Sequence, residues 1–191
     1  MMNILIAGVG GQGTLLASRV LGQYAMLCDK DCKLSEIHGM SQRGGSVVTH
    51  VRIGDKIHSP VVWEGGADVV LAFEALEALR VKHYLKDDGA LLVNDEEILP
   101  MPCITGAAEY PADIKEKLKA AVARTHFVKA QETAIAAGSE KATNVVMLGA
   151  LCKILGFEYD VMREAVIKSV PPKFMELNAK AFELGYHSVE I

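Results

Sequence analysis

The segment Gly8-Val9-Gly10-Gly11-Gln12-Gly13 follows a short apolar run over residues 3 to 7 and opens Thr14-Leu15-Leu16-Ala17-Ser18-Arg19-Val20-Leu21, whose apolar residues recur at helical spacing. A strand, a tight glycine turn and a helix in that order have a physical use. Glycines let the backbone turn sharply and come close to a diphosphate, and the helix N-terminus offers unpaired N–H groups to its negative charge. The pattern Gly8-x-Gly10-x-x-Gly13 therefore suits a dinucleotide, another phosphate or anion, or a turn that only packs the helix on a sheet. Glu36 ends the next expected strand, about where a ribose-binding acid would sit. Two features weigh against a dinucleotide. Gly11 and Gln12 make the turn more open than it needs to be, and Glu36 leads into a polar loop where such a unit would continue into helix.

That loop, His38-Gly39-Met40-Ser41-Gln42-Arg43-Gly44-Gly45, lies at the carboxyl end of an expected strand, the edge where open α/β sheets bind ligands. Arg43 carries a planar fork of donors suited to phosphate or carboxylate, and Gln42 can donate and accept together. His38 is a candidate acid or base. The bland alternative is a solvated loop in which Arg43 pairs with a neighbouring acid. The candidate cofactor-binding residues are Gly8, Gly10, Gly11, Gln12, Gly13, Ser41, Gln42, Arg43 and Gly44, with His38 the catalytic candidate and no metal ligand assigned.

These loops need a sheet to hold them. Runs rich in Val, Ile and Leu at Lys33 to Ile37, Ser46 to Ile53, Asp68 to Phe73 and Ala90 to Asn94 read as strands, and Glu74 to Arg80 as a crossover helix. Val47, Thr49, Val51 and Ile53 share one face, and Gly54-Asp55 is read as the turn of an antiparallel hairpin to Lys56-Ile57-His58. Asp113 to Val122 is expected as a surface helix with Pro111 in its first turn, and Thr125 to Ala130 as a further strand. From Gln131 the sequence is helical, broken at Gly138-Ser139, Gly156 and Pro171-Pro172. The expected fold is α/β: one three-layer α/β/α domain over residues 1–191 with a mixed, mostly parallel sheet, a Rossmann-like first βα unit, an inserted hairpin and a helical C-terminal part.

Composition sets bounds on function. With 191 residues and 50% apolar content the chain supports one ordinary core, and with a net charge of −4 and scattered cations it has no footprint for nucleic acid or an anionic membrane. The N-terminus lacks a basic, signal-like region, so a cytoplasmic location is expected. Cys28, Cys32, Cys103 and Cys152 form no Cys-x-x-Cys pair, which points to buried reduced thiols rather than a cluster or zinc site.

Three segments in combination carry a resemblance. Gly8-Val9-Gly10-Gly11-Gln12-Gly13, then Ser35-Glu36-Ile37-His38-Gly39-Met40-Ser41-Gln42-Arg43-Gly44-Gly45-Ser46-Val47, then Ala67-Asp68-Val69-Val70-Leu71-Ala72-Phe73-Glu74 resemble the gamma domain of pyruvate and 2-oxoacid:ferredoxin oxidoreductases. The form Gly39-Met40-Ser41-Gln42-Arg43-Gly44-Gly45 is similar to the indolepyruvate-type beta subunit, whereas pyruvate-type gamma chains usually carry Pro-Glu-Arg-Arg-Gly there. Asn144 to Gly149 and the Val170-Pro171-Pro172 break also fit, so the resemblance spans nearly the whole chain.

The resemblance implies a subunit that is inactive alone and takes part in coenzyme A-dependent oxidative decarboxylation of an aryl 2-oxoacid, with electrons passed to ferredoxin. Thiamine diphosphate and iron-sulfur clusters are then expected on a large partner subunit, no cofactor on this chain alone, and coenzyme A as the co-substrate handled here. Self-association of the isolated chain is expected from its apolar content. The alternatives left open are a stand-alone NAD(P)- or flavin-dinucleotide-binding oxidoreductase using Glu36, a gamma subunit of a pyruvate or 2-ketoglutarate complex, and a non-catalytic scaffold.

Overall fold

The computed structural model describes residues 1–36 and 39–190. Six strands form one sheet: β1 (Met2–Val9), β2 (Asp31–Glu36), β3 (Ser46–Gly54), β4 (Ala67–Ala72), β5 (Leu85–Asn94) and β6 (Arg124–Val128), in the spatial order β2-β3-β1-β4-β5-β6. Strands β1, β4, β5 and β6 are parallel, and β3 runs antiparallel to both of its neighbours, β1 and β2. The helices are α1 (Thr14–Leu27), α2 (Ala75–Val81), α3 (Met101–Ile104), α4 (Ile114–Ala121), α5 (Ala130–Ala137), α6 (Thr143–Leu155), α7 (Tyr159–Ser169) and α8 (Met175–Tyr186). One face of the sheet packs on α1 and the C-terminal helices, the other on α2 and α4, which makes three layers.

Strand β1 lies between two others and beneath helices on both faces, so Ile4, Leu5, Ile6 and Ala7 are all fully buried and the strand reads as a continuous apolar run. In β3 the alternation is real: Val47, Thr49, Val51 and Ile53 are buried on the α1 side. The antiparallel partner of β3 differs from the expected one. Residues 56–58 form no strand. The hairpin is instead β2 with β3, because the connection over residues 37–45 is too short for a parallel crossover, which takes a dozen residues or more. Ile57 N–H donates to the Asp31 carboxylate at 2.8 Å, tying the segment after β3 back to the start of β2.

The C-terminal helices break where glycine permits left-handed backbone. Gly156 has φ 64°, and Phe157 N–H reaches back to the Cys152 carbonyl at 3.0 Å, closing α6. Helices α6 and α8 meet backbone to backbone: a Cβ on Gly149 would lie 2.1 Å from the Phe182 carbonyl oxygen, and one on Gly185 2.0 Å from that of Val146. Pro111 stands before α4 rather than in its first turn, because Asp113, at φ 59°, takes the cap position. Of the four cysteines only Cys152 is fully buried, and Cys28, Cys32 and Cys103 are half-buried, since they fall at a helix end, an edge strand and the short surface helix α3. No helix among the described residues is long and apolar enough to cross a membrane.

The chain leaves β1 over one face through α1 and leaves β4 over the other through α2. The carboxyl ends of β1 and β4 thus border the point where the winding reverses, and a crevice opens there.

Candidate functional site

Gly11 and Gly13, at φ 108° and 85°, carry the turn from β1 into α1. The Gly13 carbonyl accepts the first helical bonds, from Leu16 and Ala17, and no side chain caps the helix. The N–H groups of Thr14 and Leu15, ahead of those bonds, are left to a ligand or solvent. Gln12 closes the turn from inside. Its Oε1 accepts the Val9 N–H at 2.8 Å, and its Nε2 donates to the Phe73 carbonyl at 2.9 Å and to Glu96 at 3.3 Å. Gly8 leaves room for that fold-back, since a Cβ there would lie 3.0 Å from Gln12 Oε1.

Backbone hydrogen bonds clasp the polar loop to the glycine turn. Gly10 N–H donates to the Gly45 carbonyl at 2.8 Å, Gly44 N–H donates to the Gly10 carbonyl at 3.1 Å, and Gly45 N–H donates to the Ser41 carbonyl at 2.9 Å. The approach is so close that a Cβ on Gly10 would sit 2.3 Å from the Gln42 carbonyl carbon.

Between the two loops opens a cleft of about 400 Å³, bounded by Gly10, Gly11, Gly13, Gln42 and Arg43 over a floor that includes Val47 and Thr49. Five of the residues anticipated from sequence therefore meet in one place. Gly8 is buried, the half-buried Gln12 borders a neighbouring cleft with Glu96 and Asn144, and Ser41 and Gly44 hold the loop without lining the first. His38 lies outside the described residues. Sequence reasoning missed Val47 and Thr49 as site residues. Their one-face alternation was visible, but the cleft above their end of β3 exists only because a distant loop covers it.

Arg43 is exposed and forms none of the ion pairs found among the described residues. None of the nine lining residues is a carboxylate, imidazole, thiol or amine. Among the described residues the cleft offers a guanidinium, helix N–H groups and a floor of Val47 and Thr49, which is equipment for binding an anionic ligand and holds no acid-base pair.

Buried acids brace the site from below. Glu77, 4% exposed, accepts from Ser46 Oγ at 2.5 Å and from Arg80 at 3.0 Å, so it holds the residue that ends the polar loop. Burial pushes its carboxyl above the usual value, against the pull of Ser46 and Arg80. Glu74 caps α2 by accepting from Glu77 N–H at 2.8 Å and also accepts from Tyr110 Oη at 2.5 Å. Burial foremost, and then Glu74, raises the Tyr110 phenol. These acids were not singled out from sequence, where they read as the polar positions of an ordinary helix.

Glu36 does not reach the glycine turn. It accepts from Ser18 Oγ at 2.6 Å, and β3 stands between its strand and β1. In a dinucleotide fold that strand would adjoin β1, so the acid lies one strand too far out, about 5 Å. Among the described residues no three His, Cys, Asp or Glu side chains gather as a metal site.

The family model described as "Pyruvate ferredoxin/flavodoxin oxidoreductase" matches residues 3–188. The chain is 43% identical over 190 residues to the "Indolepyruvate oxidoreductase subunit IorB" of Pyrococcus horikoshii, covering 96% of this chain and 93% of that one. It is 42% identical over 188 residues to the protein of the same name from Thermococcus kodakarensis, with 96% and 93% covered. Its fold is similar to the crystal structure of the keto/oxoacid ferredoxin oxidoreductase gamma subunit from Geobacter sulfurreducens, at a TM-score of 0.73 and 28% identity, covering 98% of each chain.

Proposed function

The chain belongs to the pyruvate ferredoxin/flavodoxin oxidoreductase family, and we propose that it is the small subunit of a 2-oxoacid:ferredoxin oxidoreductase complex of the indolepyruvate type. The whole of residues 1–191 acts in it as one gamma-type unit. Its large partner subunit carries thiamine diphosphate, which supplies the carbanion chemistry of decarboxylation when bound, and the iron-sulfur clusters that lead electrons to ferredoxin. The complex works in the cytoplasm, and the isolated subunit is inactive towards oxoacids.

This chain handles coenzyme A, as an anionic ligand beside Arg43 and the N-terminus of α1. The observation that carries the reading is the exposed Arg43 guanidinium, outside every ion pair found among the described residues and presented over the glycine turn by a loop clasped through Gly10, Gly44 and Gly45. Gly10, Gly11 and Gly13 let the ligand come near the backbone, while Gln12, Ser41 and Gly44 keep the two loops in register. Gln42 stands beside Arg43 in the cleft wall. A bidentate contact from Arg43 to a phosphate fixes orientation as well as affinity, and lysine does not reproduce it.

The test is Arg43→Lys and Arg43→Ala in the reconstituted complex. Assembly and melting should match wild type, while coenzyme A-dependent ferredoxin reduction falls about ten- to a hundredfold, the worth of a hydrogen bond to a charged group. Turnover equal to wild type, or unfolding of both variants, would make the loop structural.

A further inference from the structure

The end of the sheet away from the cleft carries a different arrangement. Arg52, near the end of β3 and opposite Asn3 in β1, is 8% exposed, yet none of the ion pairs found among the described residues includes it. Its Nε donates to Asn3 Oδ1 at 3.0 Å and its Nη1 to the Ser59 carbonyl at 2.9 Å, both neutral acceptors. Among the described residues the partner of Nη2 is the Met1 sulfur at 3.3 Å, a weak acceptor.

A guanidinium taken out of water without a counter-charge costs the fold free energy, and a carboxylate at Nη2 would offset that cost. The acids of this region are engaged elsewhere. Asp31, Asp55 and Asp68, at the same ends of β2, β3 and β4, pair with Lys33, Lys30 and Lys86, and Glu64 stands 3.8 Å from His83. The missing acid has to come from another chain.

Three exposed apolar side chains surround the guanidinium. Met1 supplies the sulfur, the Val61 carbonyl lies 3.5 Å from Nη1, and the Trp63 ring centroid lies 5.1 Å from the guanidinium carbon. The indole is exposed but held in place. Gly66 N–H donates to the Trp63 carbonyl at 3.0 Å, a Cβ on Gly66 would lie 2.7 Å from Trp63 Nε1, and Asn3 Nδ2 donates to the Gly66 carbonyl at 2.9 Å. Trp and Arg are the residue types enriched where partners dock, and a ring already fixed loses little freedom on binding.

Charge also selects the partner. A second copy meeting this patch with its own would bring guanidinium towards guanidinium with no acid between them, so a different chain is favoured. The patch lies at the opposite end of β1 from the glycine turn, and a chain docked on it leaves the cleft mouth uncovered.

We propose that the patch of Met1, Val61 and Trp63 around Arg52 is a docking site for the large partner subunit, which presents an apolar segment bearing a carboxylate. The acid pairs with Arg52, and the apolar side chains pack on Trp63. The proposal rests on the reading of this chain as the small subunit of a larger complex.

Trp63 is the single tryptophan of the chain, so labelling with fluorotryptophan gives one fluorine NMR line. Titrated with the unlabelled large subunit, that line should move and lose its isotope shift between light and heavy water as the ring leaves solvent. In calorimetric titrations Trp63→Ala should weaken the complex about thirtyfold or more, the scale of a hot-spot truncation. Val61→Glu offers Arg52 a carboxylate of the chain's own, and should weaken the complex about tenfold more than Val61→Gln, which has the same shape and no charge. Both positions are exposed, so the variants should melt close to wild type. A fluorine line that stays in place while light scattering shows the complex formed overturns the proposal and spares the proposed function. Equal affinities of the two Val61 variants would remove the carboxylate and with it the proposal. A line that moves with the chain's own concentration makes the occupant a second copy, which also overturns it. If no complex forms with the large subunit, this proposal and the proposed function fall together.

Discussion

Gly10→Ala tests the clasp on which the site depends. A methyl at this position would lie 2.3 Å from the Gln42 carbonyl carbon and 2.4 Å from the Ser41 carbonyl oxygen, both backbone atoms that no rotamer change can move. Gly10 is not among the residues of positive φ, so alanine brings no conformational strain and the effect is one of contact. The fold can absorb the methyl by distorting β1 in the core or by letting the polar loop lift away. Lifting is the cheaper route, because it gives up the 2.8 Å Gly10–Gly45 and 3.1 Å Gly44–Gly10 bonds and leaves the core strand in place. At about 0.5–1.5 kcal/mol net each, the loss is about 1–3 kcal/mol. For a domain of this size that is a fall of about 2–12 °C in Tm. Gly11→Ala is the control: it meets nothing within 4 Å and suffers only from its φ of 108°, at a cost of about 1–3 kcal/mol. The two variants can melt alike, so the decisive assay is site-resolved amide exchange. Gly10→Ala should expose the Gly44 amide and weaken adenosine bisphosphate binding, and Gly11→Ala should leave the Gly44 amide protected. A Gly10→Ala protein that melts with wild type and keeps a slow Gly44 amide would refute the reasoning.

Other perturbations reach the surrounding frame. Gly149→Ala drives a methyl to 2.1 Å from the Phe182 carbonyl oxygen and should part α6 from α8, costing about 1–3 kcal/mol or more; a urea midpoint equal to wild type would show that the helices can slide. Gln12→Leu orphans the Val9 N–H at about 1–3 kcal/mol, while the Phe73 carbonyl keeps the Asn94 amide at 3.2 Å, and calorimetry should show that loss even without ligand. Burial raises the Glu96 carboxyl, the Gln12 and Asn94 bonds lower it, and Glu74 adds to the rise. An acid whose folded value is raised costs the fold stability as the pH climbs from the ordinary glutamate value through its own. Glu96→Gln should therefore gain on wild type from about pH 4 towards neutrality, and urea titrations in which the gap stays constant or narrows would count against the burial argument.

The parts of the fold that were legible in the sequence are those set by local chemistry. Glycine at 11, 13 and 156 answers to positive φ, an unbroken apolar run at 4–7 answers to a strand covered on both faces, and the helix breaks at Gly138 and Gly156 are end signals a few residues long. What escaped was set by pairings far apart in the chain. Strand β2 falls beyond β3 because a short connection forces an antiparallel return, and that placement moves Glu36 away from the glycine turn. The clasp of Gly10 on Gly45 joins segments that no periodicity links.

Gln12 shows why residue type alone misleads at a site. In the sequence it is a polar side chain in an open loop, indistinguishable from a ligand contact, yet its amide is consumed by Val9, Phe73 and Glu96. Arg43 and Asn144 belong to the opposite class. One is a guanidinium outside every ion pair found among the described residues, and the other holds a buried oxygen with no donor. A polar group already satisfied by the chain keeps the fold, and one the chain leaves unsatisfied next to a cavity is free to take a ligand. By that accounting Arg43 is the candidate to take a ligand, and Gln12 holds the turn beside it.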